Sequence, residues 1–134
     1  MTSTYDRRSS NSKSILAIDD EYDIVNLIQE SLYRHRFKIC IFTEPSAALE
    51  HFISHSKDYG IVISDIRMPG MNGYEFIRNV KESNPKVKVI LMSAFEINDR
   101  EFHNVLPDIK VDGILQKPFS IGQLNELVCK ISSN

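Results

Sequence analysis

The segment Ile61-Val62-Ile63-Ser64-Asp65 decides the fold. A short apolar run rich in β-branched residues that stops on an aspartate predicts a buried strand carrying a carboxylate to its own tip. Ile66-Arg67-Met68-Pro69-Gly70-Met71-Asn72-Gly73 follows, and its proline and two glycines predict a sharp turn that brings backbone close to the aspartate. Loops at strand ends are where binding and catalytic groups collect.

Outward from this segment the same pattern repeats. Ser14-Ile15-Leu16-Ala17-Ile18 reads as a first strand ending on Asp19-Asp20-Glu21, and from Tyr22 onward Ile24, Leu27, Ile28 and Leu32 recur at helical spacing. Phe37 to Phe42 is a second strand, after which Pro45 opens a helix carrying Ala48, Leu49, Phe52 and Ile53 toward the core. Beyond the central turn, Asn72 caps a third helix with Phe76, Ile77 and Val80 that stops near Asn84-Pro85. Val87 to Met92 is a fourth strand ending at Ser93-Ala94-Phe95. Phe102, Val105 and Leu106 mark a short helix limited by Pro107. Gly113 to Gln116 is a fifth strand ending on Lys117-Pro118, and Ser120 caps a last helix with the stripe Leu124, Leu127, Val128 and Ile131.

Five short, Val- and Ile-rich strands alternating with five helices predict an α/β domain, a doubly wound parallel sheet with helices on both faces. In such sheets the functional crevice lies beyond the carboxyl ends of the strands. Those ends carry Asp19 and Asp20, Asp65, Ser93 and Lys117, so one edge collects three carboxylates, a hydroxyl and an ammonium.

Composition narrows the classes. The 134 residues suffice for one domain with its own core, and 42% hydrophobic with 25% charged residues is ordinary for a globular protein. A net charge of −2 offers no basic excess for a broad nucleic-acid surface, so no direct nucleic-acid binding is expected. No apolar run is long enough to cross a bilayer, so no membrane association is expected. Residues 1–13 are polar, Ser-rich and aperiodic, reading as a flexible leader before a folded domain over 14–132. Ser10-Asn11-Ser12-Lys13 matches the Ser-x-x-Lys of penicillin-binding enzymes, but it lacks that motif's helix and partner motifs. Cys40 and Cys129 read as small buried hydrophobes with free thiols, in a cytoplasmic protein.

Three carboxylates and one ammonium leave two negative charges unbalanced. Like charges about 4 Å apart repel by roughly 4 kcal/mol at the effective dielectric of a protein surface. A divalent cation would neutralise them, and an all-oxygen donor set selects Mg2+, with Mn2+ possible, over zinc or copper. A carboxylate beside such a cation is suited to attack phosphorus and form an acyl phosphate. The product adds roughly one negative charge, and the Ser93 hydroxyl then gains an acceptor to move toward.

From Ser14 to Ile131 the sequence resembles the receiver domain of two-component response regulators. The resemblance rests on Asp19-Asp20, on Asp65 with Met68-Pro69-Gly70-Met71-Asn72-Gly73, on Ser93-Ala94 and on Lys117-Pro118, in that order. It implies a flavodoxin-like receiver fold with strand order 2-1-3-4-5. Asp65 would be the phosphoacceptor, Asp20 a direct metal ligand, and Asp19 one acting largely through water. The backbone carbonyl of Arg67 would complete the metal set. Ser93 would be the switch hydroxyl, Lys117 the phosphoryl contact, and the Lys117-Pro118 peptide cis. The partners implied are a sensor histidine kinase or phosphotransfer protein and an output protein, and a monomer or weak homodimer is expected. The chain ends soon after Lys117, which suggests a stand-alone receiver. It would assist only its own phosphorylation and dephosphorylation, without being an enzyme toward other substrates. Ile114 stands where the family usually has an aromatic residue three positions before the lysine, which moves the expected readout elsewhere, with Phe95 as a candidate.

Other readings are weaker. A magnesium-dependent phosphatase needs a second aspartate two residues after its nucleophile, and Arg67 stands there. A flavodoxin-like cofactor binder needs a phosphate loop where Asp19-Asp20-Glu21 would repel phosphate. A degenerate receiver that only docks proteins would have lost an acidic or lysine position, and none is lost. His51 and His55, four residues apart, read as exposed polar residues at a helix end, as do His35 and His103, and Arg34-His35-Arg36 as a solvated helix terminus.

Overall fold

The computed structural model describes residues 13–94 and 107–132. In chain order the elements are β1 (Ser14–Ile18), α1 (Tyr22–Arg34), β2 (Lys38–Phe42), α2 (Pro45–Ser54), a 3-10 turn (Ser56–Asp58), β3 (Tyr59–Asp65), α3 (Gly73–Ser83), β4 (Lys88–Ser93), β5 (Gly113–Gln116) and α4 (Ile121–Ser132). The strands form one parallel sheet in the order β2-β1-β3-β4-β5, the expected flavodoxin-like receiver arrangement. The helix expected at Phe102, Val105 and Leu106 lies outside the described residues, as do His103, Phe95 and nearly all of the expected leader.

Side chains of successive strand residues point to opposite faces, and the core divides accordingly. Leu16, Ile18, Val62 and Leu91 pack with Ala48 and Phe52 of α2 and Phe76, Ile77 and Val80 of α3. On the other face Ile15, Ala17, Ile63, Ile90 and Met92 pack with Ile28 and Leu32 of α1 and Leu124, Val128 and Ile131 of α4. Covered on both faces, β3 is buried at every position except Gly60, which explains its unbroken apolar run.

Helix starts follow from local chemistry. Asn72 Oδ1 accepts from the Glu75 amide at 2.9 Å. Glu44 caps α2 through the Ala47 amide at 2.7 Å, with Pro45 in the first helical turn. Ser120 Oγ accepts from the Gln123 amide at 3.0 Å while Gln123 Oε1 accepts from the Ser120 amide at 2.8 Å, a reciprocal capping box.

Four readings are corrected. Ile53 is 54% exposed, because the buried stripe of α2 runs through Pro45, Ala48 and Phe52 and Ile53 lies one residue past it. On α1 the stripe is Val25, Ile28 and Leu32, with Leu27 at its margin. Cys40 is exposed and Cys129 half-buried, because β2 is an edge strand and Cys40 sits at its centre. His51 is half-buried: its Nε2 lies 2.6 Å from the Tyr59 hydroxyl and its ring stacks on His55 at 4.4 Å.

Candidate functional site

Register aligns the strand tips. Ile18 pairs with Ser64, Asp65 with Met92, and Ser93 with Gln116, so Asp19, Asp65, Ser93 and Lys117 come to one edge. The ladder continues past the strands. The Asp19 amide donates to the Phe42 carbonyl at 3.3 Å, the Ile66 amide to Met92 at 3.1 Å, and the Lys117 amide to Ser93 at 2.6 Å. These bonds fix the backbone from which the polar side chains project.

The turn after Asp65 is held by its glycines and two buried side chains. Gly70 has φ +88°, a conformation that L side chains rarely adopt. Gly73 sits so close to β3 that a Cβ there would lie 2.1 Å from the Asp65 carbonyl oxygen. Its amide donates to the Ile66 carbonyl at 2.6 Å, and Ile66 and Met68 are buried beneath the loop. The Lys117-Pro118 peptide is cis, as expected.

Lys117 organises the charges. Its Nζ lies 2.6 Å from Asp19 Oδ2, 3.3 Å from Asp65 Oδ1 and 3.8 Å from Glu21 Oε1. Asp19 is fully buried and its Oδ1 accepts from the Glu21 amide at 2.9 Å. Asp65 and Ser93 are nearly buried, whereas Asp20 and Arg67 are exposed on the rim. A cleft of about 190 Å³ is lined by Asp20, Glu21, Asp65, Arg67, Ser93 and Lys117. All six expected site residues are thus brought together. Glu21 is an addition: the sequence shows it in the acidic run, but its approach to Lys117 needs the fold.

Burial and crowding tune the acids. Desolvation, then the Asp19 charge, push the Asp65 carboxyl up to about 6, against the opposing pull of Lys117. Burial also raises Asp19, although Lys117 and the Glu21 amide counter it. For Lys117 burial disfavours the ammonium, but the Asp19 hydrogen bond and the two carboxylate charges outweigh it and raise the pKa.

Carboxylate oxygens of Asp19, Asp20 and Asp65 all lie within 4.8 Å of one another. That donor set is hard oxygen throughout and fits magnesium or manganese. Burial first, and then repulsion from the Asp19 and Asp20 carboxylates, raise the Asp65 pKa, and a divalent cation would relieve the repulsion.

The chain belongs to the response regulator receiver domain family, whose profile matches residues 15–129. It is 28% identical over 107 residues to regulatory protein VanRB of Enterococcus faecalis, covering 80% of this chain and 46% of that protein. It is also 28% identical over 121 residues to response regulator SaeR of Staphylococcus aureus, covering 89% and 49%. The chain therefore spans about half the length of these curated relatives. Response regulator protein TrrA of Thermotoga maritima, solved in complex with Mg(2+)-BeF, superposes with a TM-score of 0.73 at 31% identity over 89% of this chain and 98% of that one. The CheX-CheY-BeF3-Mg+2 complex from Borrelia burgdorferi contains a chain that matches the fold with a TM-score of 0.78 at 22% identity, covering 90% of each. Receivers of this family are regulatory, phosphorylation-dependent switches of two-component systems; they bind Mg2+ at an acidic aspartate cluster and interact with histidine kinases or phosphotransfer proteins. Among the described residues no helix is long and apolar enough to cross a membrane.

Proposed function

We propose that Asp65 is the phosphoacceptor of this receiver, taking a phosphoryl group from the phosphohistidine of a sensor kinase or phosphotransfer protein. The observation that carries this reading is the ammonium of Lys117 set between Asp19, at 2.6 Å, and Asp65, at 3.3 Å, in an open cleft.

An Asp65 carboxylate oxygen attacks phosphorus as the phosphorus–nitrogen bond of the donor breaks. The donor ring is protonated on its other nitrogen, so the bonding electron pair returns to the phosphorylated nitrogen and the ring leaves as neutral imidazole. A magnesium ion held by the carboxylates of Asp19, Asp20 and Asp65 and the Arg67 carbonyl would neutralise charge on the transferring phosphoryl oxygens, and manganese would serve similarly. Lys117 contacts the same oxygens while keeping its hydrogen bond to Asp19. Asp19, anchored by the Glu21 amide, orients that lysine. The cleft becomes more negative by roughly one charge. Ser93 at the tip of β4 donates its hydroxyl to a phosphoryl oxygen, drawing the following loop inward and changing the surface offered to an output protein.

In this reading residues 14–132 are the receiver and 1–13 a leader. The protein acts in the cytoplasm without being an enzyme toward other substrates. Ile114 is 38% exposed and carries no ring or hydroxyl, so the readout does not depend on an aromatic side chain at that place.

Intact mass after incubation with acetyl phosphate tests the assignment. One added phosphoryl group is expected with magnesium, and none with chelator or in Asp65→Asn. No adduct on the wild type, together with failure to trap the state with beryllofluoride, would overturn it and leave a docking module indifferent to phosphorylation.

A further inference from the structure

The sheet has a second charged edge. In sheet order Lys38 opens β2, Lys13 precedes β1, Lys57 precedes β3, Lys88 opens β4 and Lys110 precedes β5, so the amino-terminal end of every strand carries a lysine. Neighbouring strands lie about 4.8 Å apart, which makes a row of roughly 20 Å. Helix dipoles explain cations in the last turns of helices, but these five lie outside helices or, for Lys57, in a single 3-10 turn. Lys88 is used internally, on the Ile131 carbonyl at 3.0 Å. Lys13 reaches the Lys57 carbonyl with one of its three donors, and Lys110 faces Asp112 at 3.8 Å with its side chain 83% exposed.

The net charge of −2 does not describe this edge. A seven-residue strand at about 3.3 Å per residue separates it from the acidic tips by roughly 20 Å, more than two screening lengths at physiological salt. Asp58, Asp108 and Asp112 stand at the same edge, but the five lysines outnumber these three carboxylates, so the row presents a net positive field of its own.

A second, chemically different feature adjoins the row. Tyr33, near the end of α1, is 55% exposed, and with Gln29, Glu30, Lys38 and Ile39 it lines a hollow of about 570 Å³ beside the first lysine. A cationic track for a phosphodiester backbone with an aromatic face at its end, and amide and carboxylate groups able to meet base edges, is the pattern that binds single-stranded nucleic acid. A membrane would need a plane rather than a line of charge.

We propose that this amino-terminal edge binds single-stranded nucleic acid, with Lys38, Lys13, Lys57 and Lys110 on phosphates and a base stacked on Tyr33. The site is independent of the phosphoacceptor reading, so Asp65→Asn is expected to bind as the wild type does.

Fluorescence anisotropy of the full chain with a labelled thymidine oligonucleotide of about twelve nucleotides tests this. Four phosphate contacts predict about fifty-fold weaker binding on going from 50 to 200 mM salt. Lys38→Glu with Lys57→Glu is expected to weaken binding at least about ten-fold. Tyr33→Ala should cost about ten-fold without changing the salt dependence. Arg78→Glu, on the exposed face of α3, is expected to leave binding unchanged, and melting curves establish that each variant is folded. Absence of binding at 50 mM salt overturns the proposal. So does binding indifferent to Tyr33→Ala, or equal competition by duplex DNA, polyglutamate or anionic vesicles.

Discussion

The two edges of the sheet carry opposite charge under opposite conditions. At the carboxyl edge Asp19 and Asp65 are buried and share one ammonium, whose side chain is only 13% exposed. At the amino edge Lys13, Lys57 and Lys110 are exposed; Lys13 reaches a backbone carbonyl and Lys110 a single carboxylate. Charge withdrawn from water is coupled strongly to its neighbours, whereas charge left in water acts mainly through its summed field. The first edge is built for chemistry and the second for contact.

The largest effect expected separates lysines by edge. Lys117→Ala leaves Asp19 buried without its ammonium partner and should destabilise the protein by about 3 kcal/mol. Lys57→Ala, on an exposed side chain, should leave stability unchanged within the usual surface range. Urea unfolding of both at neutral pH checks the contrast, and equal losses would break it.

Asp65→Asn should act in the opposite direction. Removing one of the crowded carboxylates is expected to stabilise the metal-free protein by about 1 to 3 kcal/mol at pH 7. The pH dependence carries the same sign. A carboxyl raised from 3.8 to about 6 binds its proton more tightly when folded, so its favourable contribution is full below about pH 4 and is lost as pH rises through 6. Asp19, also raised, adds to that trend, while Lys117, raised above 10.5, matters only in alkali. Thermal melts from pH 4 to 7 in chelator should show the loss, magnesium should offset it, and Asp65→Asn should flatten it. A wild-type profile that rises steadily over this range would contradict the electrostatic account of the site.

Much of this was legible beforehand because strand ends are local features. The run Ile61 to Asp65 ends on its aspartate in the fold as in the sequence, and Asn72, Pro45 and Ser120 stand at the helix starts their chemistry demands. Ile53 and Cys40 are exposed against expectation because burial depends on what covers an element: the stripe of α2 passes Ile53 by, and among the described residues no strand pairs with the outer side of β2. Glu21 near Lys117 and the close packing of the Gly73 backbone on Asp65, which leaves no room for a Cβ, are juxtapositions across the chain that spacing alone does not encode. The lysine row was hidden for the same reason: only sheet order turns five scattered residues into a line.

The smallest effects lie within the basic edge. Asp112 Oδ2 accepts from the Val89 amide at 2.8 Å and Oδ1 faces Lys110 at 3.8 Å. The hydrogen bond holds the segment before β5 against β4, where the Asp112 amide also donates to the Val89 carbonyl at 2.8 Å. The ion pair is long, exposed on the lysine side and screened by salt. Asp112→Ala should therefore cost about 1.5 kcal/mol, the lower end of the worth of one hydrogen bond to a charged acceptor. Lys110→Ala should change stability by less than the error of the measurement. A double-mutant cycle in low and high salt separates the two contributions. If coupling between Lys110 and Asp112 proved large and resistant to salt, charge at this edge would behave like charge at the other, and the distinction between the edges would fail.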